Sequence, residues 1–208
     1  MSTVRVSCTG MRVGRLLLPP FQVGTGELVC LHVPREGVAR KDELNELLRK
    51  GQDAPGLRFF GTVAFVDRPM PERGFLGRWR NPRILNWLTQ RAGIASDQAK
   101  SILQRWHEPE RRKIGLIQWN QRTWIALDVA LTSGADIIVL DTAGNGDDGI
   151  QVAYDFLATR LEHHAVIHIS HPSNRERVCF TGAHCIELGT EEPKWSETAK
   201  ATLPLKSS

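Results

Sequence analysis

The alternation of apolar and polar positions predicts a strand-rich first third, a helical middle and an alternating strand–helix end. Residues 4–8 alternate with the period of two expected of a strand with one buried side. Residues 16–23 contain Pro19 and Pro20, which lack amide donors and place that segment at an edge or a turn. Gly24, Thr25 and Gly26 mark a turn, after which residues 27–33 (ELVCLHV) read as a buried strand. Residues 42–50 (DELNELLRK) predict a short amphipathic helix, with acid near its start, base near its end and Gly51 as its stop. Residues 57–66, rich in Phe and Val, predict a further strand, and residues 67–80 a connection rich in Pro, Gly and Arg.

The middle third changes period. Asn81 and Pro82 open a predicted helix running to about Ala92, with the proline in its first turn. A second helix is expected over residues 96–106 with Ser96 as its cap, and a third over residues 120–132, where Trp124, Leu127 and Leu131 recur at helical spacing. Residues 137–140 are four consecutive apolar positions, the mark of a central parallel strand covered on both faces. A helix over 148–162, a parallel strand over 165–170 and two short antiparallel strands within 177–188 follow, then a polar tail from 191. Strand and helix in alternation imply right-handed crossovers and a parallel sheet with helices on its faces.

Composition narrows the class without naming a function. With 208 residues, 41% hydrophobic and 24% charged, the chain suits one globular domain with a small subdomain. A net charge of +4 is too mild to imply nucleic acid. No apolar run approaches the roughly 18 residues needed to cross a bilayer, and the N-terminus has no apolar signal core, so a cytoplasmic protein is expected. A peripheral position at the membrane through a partner stays open. Cys8, Cys30, Cys179 and Cys185 form no C-x-x-C pair and read as thiols of a reducing compartment. A metal site from Cys179, His184 and Cys185 is disfavoured, since adjacent residues of a strand point to opposite faces.

Two segments carry candidate chemistry. ADIIVLDTAGNGDDG, residues 135–149, is a strand ending in Asp141 followed by a Gly-rich turn into a helix, and the next strand ends at Ser170 and His171. From about Gly26 to Leu188 this order resembles an ATP-binding cassette (ABC) ATPase domain. The resemblance implies an α/β fold: a P-loop-NTPase-like, mostly parallel sheet flanked by helices, with an N-terminal antiparallel β part and a small helical subdomain inserted at about 78–118. Residues 1–190 would form that domain and 191–208 a polar C-terminal tail.

Position by position, the resemblance keeps the scaffold and departs at the gripping parts. Residues 33–40 (VPREGVAR) occupy the phosphate loop, but Val33, Glu36 and Val38 replace glycines, Ala39 replaces the lysine, and Arg40 replaces the serine or threonine. Glycines let backbone amides converge on phosphate oxygens, which branched side chains obstruct, and Glu36 adds negative charge. Arg68 replaces the glutamine that follows the strand 63–66. Gln121 and Arg122 are what is left of the signature motif, with Trp119 and Asn120 adding bulk. Asp141 matches the magnesium-organising aspartate, but Thr142 stands in place of the general-base glutamate and cannot usefully accept a proton from water. Asn145 and Asp148 match the loop by which two such subunits touch, and His171 matches the switch histidine.

The resemblance therefore implies a degenerate, non-hydrolysing subunit that binds an intact ABC ATPase subunit, a membrane permease subunit or both, and a homodimer without a competent site. No cofactor is expected. Asp141, Asp148, Gln121 and Arg40 are the candidates for nucleotide contact, and Asp141 for magnesium, if a divergent ATPase using ATP and Mg²⁺ is the correct alternative. Arg73, Arg78, Trp79, Arg80 and Arg83 form a basic-aromatic cluster flanking the helical segment, and Arg78, Trp79, Arg80 and Arg83 with Asn145 and Asp148 are the candidate interface. A second cluster comprises Arg105, Trp106, Arg111, Arg112 and Lys113. Single-stranded nucleic acid is the alternative use of such clusters, disfavoured because Glu108 and Glu110 interrupt the second. The turn after Asp141 also reads as a plain strand-to-helix connection capped by Asp147 or Asp148. A GTPase reading of Asp141-Thr142-Ala143-Gly144 lacks its upstream and downstream partners. A calcium loop fails because Ala143 is no ligand and Val152 stands where a closing glutamate belongs.

Overall fold

A computed structural model describes residues 2–71, 81–170 and 182–190. At its centre is a five-stranded parallel sheet of order β10-β5-β9-β8-β7, formed by His184–Glu187, Leu28–His32, Ala165–Ser170, Ile137–Asp141 and Val63–Phe65. Two three-stranded sheets come largely from the N-terminal part. One joins β4 (Phe21–Gly24), β1 (Val4–Cys8) and β6 (Leu57–Phe59); the other joins β11 (Gly189–Thr190), β3 (Leu16–Leu18) and β2 (Met11–Val13). All strand pairs in those two sheets are antiparallel.

The inner strands of the parallel sheet, β5, β8 and β9, are buried on both faces, as their largely hydrophobic runs require. Ile137 and Val139 face the antiparallel sheets and helix α1 (Lys41–Lys50), where Leu44 and Leu48 are buried. Ile138 and Leu140 face α4 (Trp119–Thr132) and α5 (Asp147–Ala158), packing with Leu127, Leu131, Ile150 and Leu157. A separate core lies under the helical middle. There α2 (Ile84–Asn86), which runs directly into a π-helical turn at Trp87–Arg91, packs with α3 (Ser96–Arg105) around Ile84, Leu88, Ile102, Leu103 and Ile125.

Several expectations change in detail. The strand expected over 57–66 is two strands, β6 and β7, that enter different sheets. Pro82 lies outside the helix it was expected to open. Its carbonyl accepts a hydrogen bond from the Ile114 amide, and the helix starts at Ile84. Ser96 does not cap α3; Ala95 occupies the cap position without a side-chain hydrogen bond. The helix expected to reach residue 162 ends at Ala158 and gives way to a 3₁₀ turn at Leu161–His163. β10 is not antiparallel: it runs parallel to β5, pairing Cys185 with Cys30. Among the described residues, no helix is long and apolar enough to cross a membrane.

Candidate functional site

In parallel sheets of this kind, ligand crevices open at the carboxyl ends of the strands. Here β5, β8 and β9 end at His32, Asp141 and Ser170, and the chain beyond β7 carries Arg68 to the same end. Asp141 is the hub. Its strand is central and buried, which fixes the carboxylate at the mouth of the sheet with little exposure.

Both carboxylate oxygens are engaged. Lys41 Nζ donates to Oδ2 at 2.8 Å and Asn45 Nδ2 to the same oxygen at 2.7 Å, while the Ala143 amide donates to Oδ1 at 2.8 Å. Lys41 and Asn45 are one helical turn apart on α1, so a single helix face presents both. Asn45 Oδ1 is buried with no hydrogen-bond partner. Burial alone would push the Asp141 carboxyl up. The Lys41 ammonium, the Ala143 amide and Asn45 outweigh it and hold the group below the ordinary carboxylate value.

A second set of contacts closes the turn after Asp141. Arg68 donates to the Ala143 carbonyl at 2.6 Å and to the Asp141 carbonyl at 3.2 Å, and its guanidinium lies 4.6 Å from the centre of the Trp119 ring. Trp119 Nε1 donates to the same Ala143 carbonyl at 3.2 Å. Trp119 thus begins α4 by packing onto its own chain's 141–144 turn. Gln121, expected to contact nucleotide, sits in the first turn of α4, where its side chain accepts from the Gln118 amide at 3.3 Å as half of a capping box.

The segment that stands in the place of the phosphate loop, expected to be unable to grip phosphate, is not an open loop. Arg35–Arg40 forms a 3₁₀ helix in which the Gly37 amide donates to the Pro34 carbonyl at 2.8 Å and the Lys41 amide to Val38. The Val33 amide donates to the Ser170 carbonyl at 3.3 Å. The Arg40 backbone ends this turn.

On the other face of the sheet, Thr142, which stands where the resemblance places a general base, joins a buried polar network. Thr142 is fully buried and its hydroxyl lies 2.8 Å from His168 Nε2. Burial, with His32 beside it, lowers the pKa of His168 to about 3, so the ring stays neutral. Tyr154 Oη lies 2.6 Å from His168 Nδ1.

The remaining sequence candidates separate. Asp148 is exposed at the start of α5, and Gly146, not an aspartate, holds the cap position. Asn145, expected at an interface, is buried, and its Oδ1 accepts from the Thr123 hydroxyl at 3.0 Å. Arg83 is exposed, and its backbone pairs with that of Lys113 in an isolated antiparallel bridge. His171, Arg73, Arg78, Trp79 and Arg80 lie outside the described residues. In the second basic-aromatic cluster, Arg105 and Trp106 both bond Asp128, a carboxylate buried between α3 and α4. Lys41 and Asn45 were not singled out in the sequence; their spacing of four, directly after the atypical loop, is the signal that could have found them.

No family model and no curated protein matches the chain. Solved structures do. A metal-chelate type ABC transporter in an inward-facing conformation matches with a TM-score of 0.64 at 15% identity, over 89% of this chain and 79% of that one. An ABC transporter ATP-binding protein from Pyrococcus furiosus matches with a TM-score of 0.63 at 13% identity, over 88% of this chain and 96% of that one. An RNase-L inhibitor matches with a TM-score of 0.54 at 12% identity over 81% of this chain, which spans only 34% of that protein. With the strand order and the flanking helices, these matches identify the fold of this chain as that of an ABC-type ATP-binding domain.

Proposed function

We propose that the chain is a non-hydrolysing ABC-type domain that works by binding a partner: an intact ABC ATPase subunit, a membrane permease subunit, or both. The observation that carries this reading is the ion pair between Lys41 and Asp141, with side chains only 14% and 9% exposed. An aspartate at this position organises magnesium in the fold's catalytic members, and here a lysine ammonium satisfies its charge instead. Magnesium demands near-octahedral oxygen ligation and would have to displace that ammonium from a mostly buried carboxylate. The amides of Gly37 and Lys41 are spent on the 3₁₀ turn, so they do not form a nest for phosphate oxygens. The residues present therefore do not fit magnesium–triphosphate held in the usual mode. Thr142, bonded to a neutral histidine, offers no general base.

Two such chains together would bring no competent site, and a pair with an intact subunit would be impaired at both sites, since each would draw one of its parts from this chain. The direct test is phosphate release from Mg-ATP alongside calorimetric titration with a non-cleavable ATP analogue. Turnover at the level of a protein-free control and no micromolar binding are expected. A micromolar dissociation constant, or turnover that Asp141→Ala removes, overturns the reading.

A further inference from the structure

On the face of the sheet opposite the Asp141 carboxylate lies a second cluster of ligating groups. The parallel pairing of β10 with β5 sets Cys185 beside Cys30. His32, two residues beyond Cys30 on the same strand, shares its face. The ligand atoms of Cys30, His32 and Cys185 all lie within 4.8 Å of one another. Cys30 Sγ and His32 Nδ1 are 3.9 Å apart. For comparison, a sulfur and a nitrogen on one tetrahedral zinc ion, at about 2.3 and 2.0 Å from it, are separated by roughly 3.5 Å. Small rotations would bring the three donors onto one ion.

We infer that Cys30, His32 and Cys185 form a binding site for a thiophilic divalent cation, with Zn²⁺ the ion that fits. Two thiolates and an imidazole are a soft donor set, which excludes magnesium and calcium and suits zinc. Cys30 and His32 are 4% and 8% exposed, so they form a dry floor. Cys185 is exposed and lies on the edge strand, which gives the ion a way in and leaves the fourth position to water. His168 Nδ1 lies 3.3 Å from Cys30 Sγ, placed to donate to its thiolate, and the Ser170 Oγ contact to His32 Nδ1 is the one the ion would displace. Buried cysteines often act as plain small hydrophobes. An exposed cysteine aligned with a buried thiol and a histidine does not serve that purpose. On binding, each thiol gives its proton to solvent and the ion takes its place.

The test titrates reduced, chelator-treated full-length protein with Co²⁺ and then Zn²⁺. Expected are one ion per chain, submicromolar Zn²⁺ affinity, visible d–d absorption of tetrahedral Co²⁺ and a thiolate-to-Co²⁺ charge-transfer band. Cys185→Ser, at an exposed position, should keep the fold by circular dichroism. It should weaken uptake by at least roughly 100-fold, beyond the ~10–100-fold that loss of an outer-shell contact costs. His32→Ala should lower affinity and keep the charge-transfer band. His184→Ala is the control: its exposed side chain is directed to the other face, toward Ser7, Cys8 and Pro20, and uptake should not change. No charge-transfer band, affinity weaker than micromolar, or uptake that survives Cys185→Ser overturns the inference.

Discussion

Lys41 is the residue on which the candidate site turns, because its removal leaves Asp141 charged, mostly buried and short of its cation. Breaking one side of such a pair costs about 3 kcal/mol, whereas removing both charges together is far less damaging. Lys41→Met should therefore lower the urea midpoint strongly, and Asp141→Asn added to it should restore most of the loss; a double variant no better than the single one would show the pair is not coupled. Glu108 provides a second residue-scale prediction. Its Oε2 is buried without a hydrogen-bond partner, and Arg112 Nε lies 3.6 Å away. Burial raises its pKa above 4.5, and Arg112 only partly opposes this. The folded state thus holds this proton more tightly than the unfolded chain does. That contribution to stability is complete below pH 4.5 and is lost as pH rises through the raised pKa. Glu108→Gln should remove the loss. In chemical denaturation it should be more stable than wild type at pH 7 and no more stable at pH 4, and parallel pH profiles for the two proteins would refute this.

Among the elements, α1 depends on how it stops. Gly51 follows it with φ of 56°, and a β-carbon there would come within 2.7 Å of Val63 Cγ2 on β7. An alanine would combine left-handed strain with overpacking, at a cost of about 2 kcal/mol or more. Gly51→Ala should lower thermal stability, and Val63→Ala in that background should recover little of it, because Val63 Cβ itself would lie 2.8 Å from the new β-carbon. A neutral Gly51→Ala would mean that β7 moves aside at no cost. The stop itself is legible in the sequence, as are β8 and β9, because a helix C-terminus and a doubly covered strand leave local signals. The π-helical turn at Trp87–Arg91 is not, since packing around Leu88 decides it. Nor is the direction of β10, for strand pairing depends on partners far away in sequence. The candidate site divides in the same way. Asp141 announces itself at the end of an apolar run, but the lysine that neutralises it lies on another element, and only the assembled sheet brings Cys30, His32 and Cys185 together.

For the whole molecule, the fold is that of an ATP-binding domain, and at the carboxyl end of its sheet Lys41 and Asn45 engage the Asp141 carboxylate. Ligand binding to the folded state raises stability by about 2.7 kcal/mol at a hundredfold excess over the dissociation constant, which for a domain of this size is roughly 5–10 °C. On the proposed function, millimolar Mg-ATP should shift the melting temperature by less than about 1 °C, and a magnesium-dependent rise of several degrees would contradict that proposal. The strand order also sets when the molecule can be finished. β5 is hydrogen-bonded in its sheet only to β9 and β10, and all five of its residues are buried. As the ribosome extends the chain, residues 28–32 emerge early and find no sheet neighbour until residue 165 and beyond have been made. Until then a greasy ribbon with two unpaired edges must be shielded, and a chain released before that point would offer it to other chains as a seed for aggregation.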